Sequence, residues 1–155
     1  MMGYANSPRQ QDRDVKRPKK PYVLEEQAGF ILRQATQRHV TIFSQTMPAE
    51  LTPPQFSAIC VLHQKGTCSQ NQLGRFITTD AATIKGVVDR LTKRGLVQTA
   101  ADPDDGRMLL VSLTPAGQEL AVTCIEAATE ITALTLAPLT APERKEFLRL
   151  LKKLR

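Results

Sequence analysis

Between Ser69 and Leu113 the sequence fits two short capped helices and two strands around a turn, and so short a run has few ways to bury its apolar residues. Ser69-Gln70-Asn71-Gln72 has capping-box spacing, in which hydroxyl and amide side chain each satisfy a backbone N–H of the other residue. It opens a helix through Leu73, Phe76 and Ile77. Thr78-Thr79-Asp80 is a turn that supplies the next cap. Ala81–Arg94 then carries Ile84, Val87, Val88 and Leu91 at the spacing of an inward helical stripe, and Gly95 suits the left-handed position past its end. Leu96–Ala101 reads as a strand and Asp102-Pro103-Asp104-Asp105-Gly106 as a turn. Arg107–Leu113, with Met108, Leu109 or Leu110, Val111 and Leu113, reads as the returning strand of a β-hairpin.

Longer helices flank this run. Leu24–Met47 carries Leu24, Ala28, Ile31, Ala35 and Ile42 at helical spacing, with His39 completing the stripe and Pro48 ending it. Thr52-Pro53-Pro54-Gln55 opens the next helix, whose apolar face is expected to hold Phe56, Ile59, Cys60 and His63, and Lys65-Gly66 stops it. Thr114-Pro115 starts a helix to about Leu136, and Thr140-Ala141-Pro142-Glu143 starts a last one that buries Phe147, Leu150, Leu151 and Leu154. The fold class is mainly α with a small β-wing: six helices and one hairpin, in the order α-α-α-α-β-β-α-α. The expected partition is a disordered basic tail (1–22), a dimerisation helix (23–50), a central lobe (51–113) and C-terminal dimerisation helices (114–155). Leu120, Cys124, Ile131, Leu134, Phe147, Leu150 and Leu151 make the last two helices too apolar for a lone peripheral pair; the alternative is packing against the first helix.

Charge narrows the function classes. The 155 residues carry 21 Lys+Arg against 15 Asp+Glu, a net +6. Residues 1–22 hold six basic and two acidic side chains, so most of the excess is a property of the tail. Residues 65–94 again hold six basic and two acidic, which points to a polyanion partner for that stretch. The tail is either a passive solvated extension or a source of non-specific phosphate contacts. No apolar run is long enough for a membrane span, and the basic N-terminus lacks the apolar stretch of a secretory signal. Three scattered cysteines then suggest free thiols in a reducing cytoplasm. No metal-ligand spacing, nucleophile–base motif or Gly-rich phosphate loop occurs, so no metal, cofactor or catalytic site is expected.

A capped short helix, a turn, a second helix with a small or polar outer face and a hairpin with a basic tip make a winged helix-turn-helix. The second helix must fit a DNA major groove. Its face offers Thr79, Asp80, Ala82, Thr83, Lys85, Gly86 and Arg90. Thr83 and Lys85 donate to base edges or phosphates, Ala82 and Gly86 allow close approach, and Lys93 and Arg94 reach phosphate. Ser69 and Gln70 at the first short helix complete this set, with Arg107 at the hairpin tip, long enough to enter a minor groove. The competing reading is a helical protein-interaction module with a solvated basic face and no DNA binding.

The residues resemble the MarR family of bacterial transcriptional regulators over roughly 24–155. The most specific stretch is Val87-Val88-Asp89-Arg90-Leu91-Thr92-Lys93-Arg94-Gly95-Leu96-Val97. It is followed by Asp102-Pro103-Asp104-Asp105-Gly106-Arg107 and Leu110-Val111-Ser112-Leu113-Thr114-Pro115-Ala116-Gly117. The resemblance implies that Asp105 orients basic side chains near the wing and that Arg107 enters the minor groove. It also implies an obligate homodimer on a pseudo-palindromic operator, built from the first and last two helices. Members usually repress, and a small ligand or thiol oxidation releases the DNA.

Two sensing mechanisms stay open. Gly29-Phe30-Ile31-Leu32-Arg33-Gln34-Ala35-Thr36-Gln37-Arg38-His39 looks like the branch controlling degradation of aromatic acids, which implies a hydroxycinnamate, benzoate or hydroxynicotinate effector, or a thioester of one. Arg33, Gln34, Arg38, His39 and Phe43 from the first helix, with Phe56, Ile59 and His63 from the next, are the candidate effector-binding residues; an aromatic carboxylate suits Arg or His plus Phe. The bland alternative makes both histidines satisfied core or interface residues. The second mechanism is thiol oxidation at Cys68, placed in a loop near Lys65, with Cys60 and Cys124 as inert small hydrophobes. Peroxide-sensing members carry their cysteine near the start of the first helix, where this chain has none.

Overall fold

The computed structural model describes residues 21–155, so the tail lies outside the described residues but for its last two positions. The described chain falls into two compact units, 21–34 and Ala35–Arg155. In the first, Leu24–Glu26 forms a tight 3-10 turn and Gln27 is extended, so the α-helix begins only at Ala28. The Gln27 side chain satisfies the Val23 carbonyl at 2.7 Å, and the Arg33 guanidinium lies 5.2 Å over the Phe30 ring. Leu24, Ile31 and Leu32 are exposed.

Among the described residues six α-helices and three strands occur in the order α1 (Ala28–Thr46), α2 (Pro53–Lys65), β1 (Cys68–Ser69), α3 (Gln70–Phe76), α4 (Ala81–Lys93), β2 (Val97–Ala101), β3 (Leu109–Leu113), α5 (Pro115–Thr135) and α6 (Ala141–Leu151). The capping boxes at Thr52–Gln55, Ser69–Gln72 and Thr140–Glu143 all form, as does the Asp80 cap on Thr83. The hairpin pairs Val97 with Leu113 through Ala101 with Leu109. The two-residue β1 adds to its far side, pairing Cys68 with Val111, so the sheet order is β1-β3-β2.

The core of the second unit lies where α2, α4, α5 and the sheet meet. Ala58, Ile59, Leu62, Leu73, Ile84, Val87, Val88, Leu91, Val97, Val111, Ala121 and Cys124 are sealed in it. On α2 the buried stripe is Gln55, Ala58, Ile59 and Leu62, rotated from the face expected, which leaves Phe56 and Cys60 half-buried and His63 exposed. Cys124 and Ile131, expected to need a partner surface, are instead core residues of this chain. On α6 the correction runs the other way: none of its residues is buried, and Phe147, Leu150, Leu151 and the following Leu154 are all exposed.

Two junctions fix α4 and the wing. Past α4, Gly95 takes φ +69°; its N–H reaches Thr92 O and that of Leu96 reaches Leu91 O, the paired bonds of a Schellman motif. At the start of α5, Thr114 donates its hydroxyl to Gly95 O at 2.6 Å and accepts Gly117 N–H, while its own N–H reaches Leu96 O. A β-carbon on Gly117 would overlap that same Leu96 carbonyl. The exit of α4 and the entry of α5 are thereby pinned together at the root of the wing. Between α3 and α4, Thr78 holds φ +56°, a left-handed conformation that costs a β-branched residue about 1–2 kcal/mol and makes the turn tight.

Candidate nucleic-acid interface and apolar cavity

On α4 the stripe Ile84–Val87–Val88–Leu91 is buried, so Ala82, Thr83, Lys85, Asp89 and Arg90 are left exposed. The exposed side chains are not idle. Asp80 accepts both the backbone N–H of Thr83 at 2.8 Å and its hydroxyl at 2.7 Å. Those bonds hold its carboxyl below the usual range. Lys85 meets Asp89 at 2.6 Å one turn on, with 66% and 52% of the two side chains exposed. Such a surface pair contributes at most about 1 kcal/mol, so a phosphate competes with it readily. Arg90 folds its guanidinium over Gly86. Arg94, expected at phosphate, donates to the Ala49 carbonyl and ties the end of α4 to the turn after α1.

The wing tip is held by its own aspartates. Asp102 Oδ1 accepts the N–H groups of Asp104 and Asp105, and Asp105 Oδ1 accepts that of Arg107 at 3.1 Å. Asp105 thus fixes the backbone that presents Arg107 rather than a basic side chain. Arg107 is exposed and makes no salt bridge among the described residues. A cleft of about 120 Å³ brings Ser69, Gln70 and Asn71 together with Arg107, Met108 and Leu109. Within it Ser69 is buried, with its hydroxyl committed to Gln72 N–H, so it acts as a cap. A second groove, lined by Asn71, Gly74, Arg75, Thr79, Ala81 and Ile84, joins α3 to α4. Sequence reasoning passed over Asn71 and Arg75; Arg75 was legible only as one of the basic residues of 65–94.

A cavity of about 220 Å³ opens among α1, α2 and α5, lined by His39, Phe43, Pro53, Phe56, Ser57, Ala128, Ile131 and Thr132. The Phe43 and Phe56 rings meet edge to face at 6.1 Å, and His39 stands 6.4 Å from Phe43. His39 Nδ1 is engaged by Thr135 Oγ1 at 2.9 Å, which leaves Nε2 as the nitrogen able to meet a ligand. Arg38 is spent on the end of α5: its guanidinium donates to Thr135 O at 2.6 Å and to Leu134 O at 2.9 Å, the latter already accepting Ala137 N–H, at the negative end of a helix dipole. Of the other expected effector residues, Ile59 is sealed in the core and His63 bonds Gln118 at 2.9 Å on the surface; neither lines the cavity. Arg33 and Gln34 belong to the first unit. Pro53, Ser57 and the Ala128–Ile131–Thr132 face of α5 were not foreseen.

The placement of Cys68 overturns the case for it as an exposed thiol. It lies in β1, 8% exposed, and burial pushes its pKa up, as it does for Cys60 and Cys124. A raised pKa removes the thiolate that oxidation requires. Iodoacetamide at pH 7.5 should therefore label Cys68 and Cys124 slowly in the folded protein and fast in denaturant; labelling of Cys68 at the denatured rate would contradict its burial. Among the described residues no group of three or more His, Cys, Asp or Glu is placed to hold a metal, and no helix is long and apolar enough to cross a membrane.

Comparison with known proteins agrees with this geometry. The MarR family model matches residues 51–109, the span from α2 to the wing. The chain is 42% identical over 135 residues to the HTH-type transcriptional repressor NicR of Pseudomonas putida, covering 86% of this chain and 85% of that one. A probable transcriptional regulator from Pseudomonas aeruginosa, solved by crystallography, is 52% identical with a TM-score of 0.82, covering 86% of this chain and all of that one. BpsR of Bordetella bronchiseptica, whose DNA binding is regulated by 6-hydroxynicotinic acid, is 41% identical with a TM-score of 0.82, over 87% and 97% of the two chains. With a hairpin wing beside a small-faced helix, and relatives matched along most of both chains, this chain belongs to the MarR family: it is a winged-helix, DNA-binding transcriptional regulator, not an enzyme.

Proposed function

We propose that the protein is a homodimeric repressor released from a pseudo-palindromic operator by a small aromatic carboxylic acid. The observation that carries the effector reading is the cavity: two phenylalanines set edge to face, with a histidine at one side. Its volume lies below the roughly 300–1,000 Å³ of pockets for drug-sized ligands, which favours a single-ring acid over a thioester. The acid's ring lies against Phe43 and Phe56 and its carboxylate meets His39. The 6-hydroxynicotinic acid that regulates BpsR has this chemistry. Isothermal titration of the protein with 6-hydroxynicotinic acid and a panel of hydroxybenzoates tests the site. At least one acid should bind, and His39→Ala should weaken it about tenfold or more, the loss of a hydrogen bond to a charged group. Equal affinity in His39→Ala and Phe56→Ala would move the site elsewhere.

DNA contact is assigned to Thr79, Ala82, Thr83, Lys85, Gly86 and Arg90 in the major groove, with Gln70, Asn71 and Arg75 at phosphates and Arg107 in the minor groove. Ser69, Arg94 and Asp105 support these groups structurally. Residues 51–113 form the DNA-reading lobe, 23–50 and 114–155 the dimerisation region, and the protein works on chromosomal DNA in the bacterial cytoplasm. Arg107→Ala should weaken operator binding by about 1–3 kcal/mol, the range for one specific groove contact, with the melting temperature unchanged. Unchanged affinity in an anisotropy titration would remove the wing from the interface.

A further inference from the structure

Thr83 is exposed in the first turn of α4, and its hydroxyl has a fixed role. Asp80 Oδ2 lies 2.7 Å from Thr83 Oγ1, and Asp80 Oδ1 takes the Thr83 backbone N–H at 2.8 Å. The Asp80 carboxyl is held below the ordinary carboxylate range by these donations, so it is ionised at neutral pH. An ionised carboxylate only accepts. The one hydroxyl hydrogen of Thr83 is therefore committed to Asp80, and what Oγ1 has left to offer is lone pairs. Among the described residues no other donor or acceptor engages that oxygen.

We propose that Thr83 reads the major groove as a hydrogen-bond acceptor and so selects adenine or cytosine over guanine or thymine on the strand it faces. The chemistry of the groove makes this a real choice. Adenine N6 and cytosine N4 carry hydrogens there, whereas guanine O6 and N7 and thymine O4 only accept. A lone pair set against another acceptor loses its bond and keeps the cost of shedding water. Asp80 is thus a positioning residue: it sets the polarity of Thr83 through the cap itself. The proposal rests on α4 being the recognition helix.

Asparagine caps a helix as well as aspartate, so Asp80→Asn should leave the fold intact. Its Oδ1 keeps the Thr83 N–H, but its amide nitrogen now donates to Thr83 Oγ1. The hydroxyl hydrogen is released to point outward, and Thr83 becomes a donor. Its preference at that position should then reverse toward guanine or thymine.

The test is selection from a randomised duplex library with the full-length protein, followed by base analogues in the recovered site. One position per half-site should lose about fivefold in affinity when its exocyclic amino group is removed, by purine for adenine or 2-pyrimidinone for cytosine. Thr83→Ser should keep that penalty, Thr83→Val should abolish it, and Asp80→Asn should select guanine or thymine there. A Thr83→Val variant with the wild-type base order would overturn the proposal. So would an Asp80→Asn variant that binds all sequences more tightly by a common factor, since that is only a lost repulsion from phosphate. A wild-type selection that recovers no common sequence would overturn both this proposal and the recognition-helix reading. A common sequence indifferent to amino-group removal overturns the role of Thr83 alone.

Discussion

Gly117→Ala is expected to destabilise the protein by about 3 kcal/mol or more, at the upper end of what added volume in a packed site costs. The new methyl would fall on the Leu96 carbonyl oxygen, which is backbone and cannot swing aside. That oxygen already accepts the Thr114 N–H, and Thr114 in turn holds Gly95 O and Gly117 N–H. Relieving the overlap means parting α5 from the turn after α4, which would loosen the cap and the root of the wing together. For a chain of this size the melting temperature should fall by roughly 6–12 °C. Gly106→Ala is the control, since nothing lies within 4 Å of a β-carbon there. Equal melting temperatures for wild type and Gly117→Ala would contradict this account of the junction.

The second large effect is expected at α6. An amphipathic helix that buries none of its residues has no reason to hold its position in water alone. Phe147, Leu148, Leu150, Leu151 and Leu154 are 39–75% exposed, and Leu134 near the end of α5 is 42% exposed. A twofold partner covering this surface is the dimer proposed above, whose two copies of α4 must lie about 34 Å apart to meet the major groove one turn apart. The double variant Phe147→Glu, Leu151→Glu should sediment as a monomer. Its operator affinity should drop by about 100-fold or more, because the second half-site no longer binds at high effective concentration. The circular dichroism of the remaining helices should persist, since the core of Ala35–Arg155 draws nothing from α6. A wild-type monomer, or a double variant that stays dimeric, would refute the assignment.

The winged helix-turn-helix was largely legible because its signals are local. Caps at Thr52, Ser69, Asp80 and Thr114, and Gly95 past α4, each announce a helix end within a few residues, and all form as read. β1 was missed because two residues carry no periodicity; only pairing with Leu110 and Val111, distant in sequence, makes Cys68–Ser69 a strand. The same pairing buries the thiol that looked like a loop cysteine. On α5, Cys124 and Ile131 belong to the inward stripe and Val122 and Leu134 to an outward one, and hydrophobicity alone does not separate two apolar faces of one helix. The cavity was half legible: His39, Phe43 and Phe56 lie on periodic stripes, but the wall from α5 depends on which of its faces turns inward.

Binding of the full-length protein to a duplex from its own promoter region, with and without aromatic acids, tests the central claim most directly. The account predicts tight binding to that duplex and weak binding to a scrambled one, with the specific complex dissolved by 6-hydroxynicotinic acid or a close hydroxylated aromatic acid. The loss should be smaller in His39→Ala. A specific complex untouched by every such acid would contradict the effector reading.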